Sequence, residues 1–176
     1  MNSSFVSRLS VRNIVLMGLL IALNIVVAKF LSFGIWSVRI SFTFVIVFFM
    51  SYWFGPLLGA IGAACADIIG TLVFGGLGGY FAGFTISAFV GAFVYGLLFY
   101  KKDITVARII IAVLVNVFLV DAVMNTYWLT LLYHANFWAI FPMRFVKELL
   151  MIPVQIILLY VVGKNKALAG LVKRID

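Results

Sequence analysis

The sequence predicts an all-α integral membrane protein, a single domain of six transmembrane helices over residues 1–176. Three observations predict it. Hydrophobic residues make up 66% of the chain and charged ones 10%, against about 45–50% and 25% in soluble domains. Apolar runs recur at the length of a bilayer crossing, about 20 residues as a helix. Strand alternation is absent, and only helices and closed barrels satisfy their backbone in lipid. A soluble globular protein, a disordered tail and a disulfide-rich secreted module are thereby excluded. Six crossings use roughly 120 residues, so the loops are short and leave no room for a second, soluble domain.

The first span covers residues 11–30 and is retained, because no small-x-small cleavage site follows it. The second covers 40–54, a short run that ends at Gly55-Pro56, a turn signal after which Pro starts the next helix. The third covers 57–74 and stops at a run of glycines, and the fourth covers 81–100 and stops at Lys101-Lys102-Asp103. The fifth covers 108–128 and the sixth 142–163, entering at Pro142. Small residues recur at helical spacing on several spans, which lets helices approach closely. Cys65 lies alone in an apolar run and reads as a small buried hydrophobe.

Orientation follows from the basic residues. An even number of spans puts both termini on one side. That side collects Arg8, Arg12, Lys101, Lys102, Arg108, Lys164, Lys166, Lys173 and Arg174. The positive-inside rule makes it the cytoplasm. Lys29, Arg39, Arg144 and Lys147 remain on the outer side. Lys29 ends a span and can snorkel to the headgroups. Arg39, Arg144 and Lys147 abut the spans, where an ionisable group is a functional candidate.

On the sixth span, Arg144, Lys147, Glu148, Met151 and Gln155 share one helical face. Cations in a first turn oppose the macrodipole, so a start at Pro142 makes this end an anion site. The fifth span offers a matching stripe of Asp121, Asn125 and Trp128. A carboxylate, an amide and an indole suit a flat heteroaromatic ring that donates and accepts hydrogen bonds. The competing reading is polar glue between helices, with Arg144 paired to Glu148 and Lys147 to Asp121. Asp67 in the third span carries the same two readings. The uncharged loop from Gly75 to Gly83, with Gly78 and Gly79, can fold over a ligand and present Tyr80 and Phe81, with Phe84 behind them. The connection holding Gly34 and Trp36 is a second candidate lid, although aromatics at a membrane edge also serve as belt anchors.

No nucleotide-binding, metalloprotease or serine-hydrolase motif is present, and no His/Cys cluster has metal spacing. The chain therefore reads as a non-enzymatic binding protein with no cofactor and no nucleic-acid partner. Its pocket suits an anionic, aromatic small molecule, and its energy comes from a partner. A self-sufficient ion-coupled transporter using Asp67 and Asp121, and a ligand-free membrane scaffold, are the competing classes.

At this point the residues resemble a family. The run Arg39-Ile-Ser-Phe-Thr-Phe44, the turn Phe54-Gly55-Pro56, the stretch Gly62-Ala-Ala-Cys-Ala-Asp67-Ile-Ile-Gly70 and the segment Gly79-Tyr-Phe-Ala-Gly-Phe-Thr-Ile-Ser87 look like the substrate-binding S components of energy-coupling factor (ECF) transporters. The pattern Asn125-Thr-Tyr-Trp128-Leu, then Pro142-Met-Arg144-Phe-Val-Lys147 and Pro153, is similar to the folate-specific branch. An S component for another vitamin is the runner-up.

The resemblance implies a multi-pass protein of the bacterial cell membrane with a folate site open to the outside. It implies a transmembrane coupling subunit and two ATPase subunits as partners, with Gly18 and Ala22 on the first helix at the coupling contact. Two departures stand out. Gly18 replaces the usual first Ala of that contact, and Gly78 and Ala82 replace prolines common around the Tyr-Phe pair.

Overall fold

A computed structural model describes residues 10–35, 38–75 and 79–165, with backbone alone at 34, 35, 38 and 39. Its elements in chain order are helix α1 (Val11–Phe30), strands β1 (Ser32–Ile35) and β2 (Val38–Ser41), α2 (Thr43–Phe74) and α3 (Ala82–Phe99). A long fifth segment follows, made of α4 (Val106–Val115), a π-helical stretch (Asn116–Met124) and α5 (Asn125–Tyr133), and α6 (Phe137–Gly163) closes the fold. Five helical segments among the described residues are long and apolar enough to cross a membrane: α1, α2, α3, the continuous Val106–Tyr133 and α6.

A straight helix of 32 residues is about 48 Å long at 1.5 Å per residue, well past a hydrocarbon core of about 30 Å. α2 is not straight. Gly55 has φ 88° and ψ 177°, a conformation that essentially only glycine adopts. The legs 43–54 and 56–74 fold back on each other there. A Cβ on Gly59 would fall 2.6 Å from the Cα of Ser51, and one on Gly96 would fall 2.2 Å from the Cα of Pro56. Only a residue without a side chain permits either approach. The Ser51 hydroxyl donates to the Ala92 carbonyl at 2.7 Å and ties α2 to α3 inside the core. Phe48, Phe99, Ile109, Val113, Val117 and Leu159 are wholly buried around this junction. Large apolar side chains such as Ile14, Leu19, Leu72, Leu97, Leu150 and Ile157 lie on the outside, as a lipid-solvated surface requires.

Several element boundaries differ from the sequence expectation. Ile40 and Ser41 do not begin a span. They belong to β2, which pairs antiparallel with β1 in the register Ser32 to Ser41 and Gly34 to Arg39. The helix therefore starts at Thr43. The fifth segment starts at Val106 and runs to Tyr133, where His134 in the left-handed region ends it (φ 51°). Within it Asn116 donates its side-chain amide to the Ala112 carbonyl at 3.0 Å, and the ladder shifts to π spacing, so that the Asn125 N–H reaches the Val120 carbonyl.

The largest correction concerns α6. It begins at Phe137, with Asn136 as cap accepting from the Trp138 N–H at 2.9 Å. Phe137, Phe141 and Phe145 stack along one face with centroids 5.1 and 5.5 Å apart, which supports the extra turn. Pro142 lies inside the helix, and Arg144 sits about two turns from its start. The macrodipole acts within the first turn, so it does not make Arg144 and Lys147 an anion site.

Candidate functional site

A cavity of about 440 Å³ lies at the end of the bundle where α1 and α5 finish and α3 and α6 begin. That volume is in the range of small-molecule pockets. Every long helical segment contributes to its wall.

One wall comes from α6 and the fifth segment. Arg144, Glu148, Met151 and Gln155 are the buried face of α6, spaced at one turn. Arg144 is only 8% exposed. Its Nε donates to Thr126 Oγ1 at 2.9 Å, and an Nη lies 3.4 Å from the Asp121 carbonyl oxygen. Lys147 Nζ is 2.5 Å from Glu148 Oε1. Asn125 donates from Nδ2 to Asp121 Oδ1 at 3.0 Å. That bond sets the amide's orientation and leaves Asn125 Oδ1 buried with no donor among the described residues. Two cations, two carboxylates and an amide thus share one wall. Formal charge there is balanced, and the donors and acceptors suit a ligand that carries both oxyanions and ring N–H groups.

The other wall comes from α1, α2 and α3. Asn24 and Lys29 line it from α1, and Asp67 lines it from α2. Thr85 donates to Asp67 Oδ2 at 2.7 Å and lies 3.2 Å from the Tyr80 hydroxyl. Lys29 Nζ also donates to the Gly75 carbonyl, so the α1 end is tied to the glycine loop. Phe81 and Phe84 bring aromatic faces to the lining, 5.9 Å apart edge to face. Trp128 stands behind them. Its ring is 5.9 Å from Phe81, its Nε1 donates to Ser87 Oγ at 3.1 Å, and Gly83 leaves room for it.

The structure thus brings Asp67, Phe81, Phe84, Asp121, Asn125, Arg144 and Lys147 to one cavity, together with Gly79 of the loop. Tyr80 and Trp128 are placed beside the lining and support it through Thr85, Ser87 and Phe81. Trp36 and Gly78 lie outside the described residues, as do the side chain of Arg39 and the surroundings of Gly34. Gly18 and Ala22 are on the exposed face of α1, away from the cavity. Reading stripes on single helices missed Asn24, Ser87, Asn116 and Thr126. A buried amide on an otherwise apolar span was the available signal for Asn24 and Asn116. Ser87 and Thr126 show no sequence signal that separates them from packing residues.

Residues 12–163 match the family described as the ECF transporter substrate-specific component. The chain belongs to the substrate-specific components of ECF transporters. Among curated relatives, a folate transporter FolT of Clostridium novyi (strain NT) is 42% identical over 144 residues, covering 82% of this chain and 83% of that protein. A folate transporter FolT of Leuconostoc mesenteroides is 32% identical over 174 residues, covering 96% and 93%. The crystal structure of FolT bound with folic acid superposes with a TM-score of 0.84 at 36% identity, covering 88% of this S component and 93% of that chain.

Proposed function

We propose that this S component is the high-affinity folate-binding subunit of an ATP-driven vitamin uptake transporter in a bacterial cell membrane. The observation that carries the reading is the composition of the cavity. Folate has a flat pterin with ring N–H groups and a carbonyl, an aminobenzoate, and a glutamate with two carboxylates. Asp121 and Asn125 match ring donors, Phe81 and Phe84 match the aromatic middle, and Arg144, Lys147 and Lys29 match oxyanions. The FolT relatives support the same ligand.

The two legs of α2 serve as separate crossings in this reading, which makes six spans with both termini in the cytoplasm. The cavity then faces outward, under the β1–β2 hairpin and the glycine loop. Gly34 and Gly79 act as gating positions in those covers, as do Trp36 and Gly78, which lie outside the described residues, and Arg39 binds the ligand. The chain carries no cofactor of its own, and ATP is hydrolysed by two ATPase subunits that act through a membrane coupling subunit docked on the Gly18 and Ala22 face.

Uptake of labelled folate by cells expressing the chain tests the proposal. Uptake is expected only with the coupling subunit and ATPases co-expressed, and it is lost when the ATPases are inactivated. Uptake by the chain alone, driven by an ion gradient, would overturn it.

A further inference from the structure

The α1 side of the cavity carries a polar group that the fold does not use. Asn24 is 8% exposed and lines the cavity. Its amide oxygen is buried and has no donor among the described residues. Two other cavity-lining amides are each held by a bond from their nitrogen within their own helical segment. Asn116 donates to the Ala112 carbonyl, and Asn125, whose oxygen likewise has no donor among the described residues, donates to Asp121. An amide that glues helices together has a partner across the helix interface, and among the described residues the oxygen of Asn24 has none.

A buried acceptor without a donor costs stability, and lipid provides no water to satisfy it. Such groups are uncommon in native structures and call for a reason. Local rules are broken chiefly where function requires it. Leucine or alanine would serve packing better at this position in a helix as apolar as α1.

We propose that Asn24 is a ligand-binding residue, hydrogen-bonding a polar donor–acceptor group of folate from the α1 wall while Arg144 engages the ligand from α6. The proposal rests on the reading of the cavity as the folate site. An amide presents a donor and an acceptor, and a half-turn exchanges them, so it suits either an amino-oxo ring edge or an amide linkage. Folate held in this way bridges α1 to α6.

The test compares the purified protein with Asn24→Leu, a substitution of similar size without the amide. Two quantities are measured, the folate dissociation constant by calorimetry and the melting temperature of the ligand-free protein. The expected result is an affinity loss of about tenfold or more with a ligand-free melting temperature equal to or above that of the unsubstituted protein, because the orphaned group is gone. A smaller affinity loss, or a lower ligand-free melting temperature, overturns the proposal and makes Asn24 a packing residue. Should Asn24→Leu fail to fold, Asn24→Ala is judged by the same two criteria. If the unsubstituted protein binds no folate, the functional reading falls and this proposal falls with it. If it binds folate and Asn24→Leu binds equally well, the proposal alone falls.

Discussion

Replacing Arg144 with alanine should weaken folate binding sharply. Arg144 is 8% exposed, its guanidinium is held by Thr126 Oγ1 at 2.9 Å, and it is set in the cavity wall with Lys147, Asp121 and Glu148. A hydrogen bond to a charged group contributes about 1.5–3 kcal/mol. At about 1.4 kcal/mol per tenfold, losing one such bond lowers affinity roughly 10- to 100-fold. The substitution also leaves two carboxylates facing Lys147 alone, which adds repulsion toward an anionic ligand. Binding is read by quenching of tryptophan fluorescence, to which Trp128 contributes from behind Phe81. Arg144→Lys keeps the charge but not the planar fork, so its affinity falls between the two. Affinity within twofold of the unsubstituted protein in a folded Arg144→Ala variant would refute the assignment of Arg144 to the ligand.

Two further substitutions probe the frame around the site. Gly55→Ala places a side chain at φ 88°, a strain of about 1–3 kcal/mol, against the Tyr100 ring 3.4 Å away; thermal unfolding should shift down by several degrees, and an unchanged melting temperature would show that the α2 reversal does not depend on glycine. Ser87→Ala removes the acceptor of the Trp128 indole and should cost about 1 kcal/mol of stability, with a blue-shifted tryptophan emission and a folate affinity change of only a few fold; unaltered stability and emission would argue against that bond.

Hydropathy made most of the architecture readable because lipid punishes any polar backbone that a helix does not satisfy. The bounds of α1 match the apolar run, and α3 ends at Phe99, one residue short of the expected end before the Lys101-Lys102 stop. Other boundaries depended on information that no periodicity carries. Ile40 is apolar enough to begin a span, yet it and Ser41 pair with β1. The start of α6 was misplaced because Pro142 looks like a first-turn residue, whereas the Asn136 cap and the Phe137–Phe141–Phe145 stack extend the helix past it. The π stretch begins at Asn116, whose side chain and backbone N–H both donate to the Ala112 carbonyl, a detail of geometry that hydropathy does not register.

The site followed a similar division. Face arithmetic brought Arg144, Lys147 and Glu148 together with Met151 and Gln155, and the cavity has all five in its wall. The same arithmetic grouped Trp128 with Asp121 and Asn125, but the indole turns to Ser87 on α3. Residues acting across helices, Thr126 on Arg144 and Ser87 on Trp128, become visible only when the helices are packed.

The central claim is that this cavity binds folate. Calorimetric titration of the purified, detergent-solubilised protein with folic acid tests it most directly. One saturable site is expected, with a stoichiometry of about one ligand per chain and no competition by riboflavin or thiamine. No saturable heat with folic acid, alongside saturable binding of riboflavin or thiamine, would contradict it.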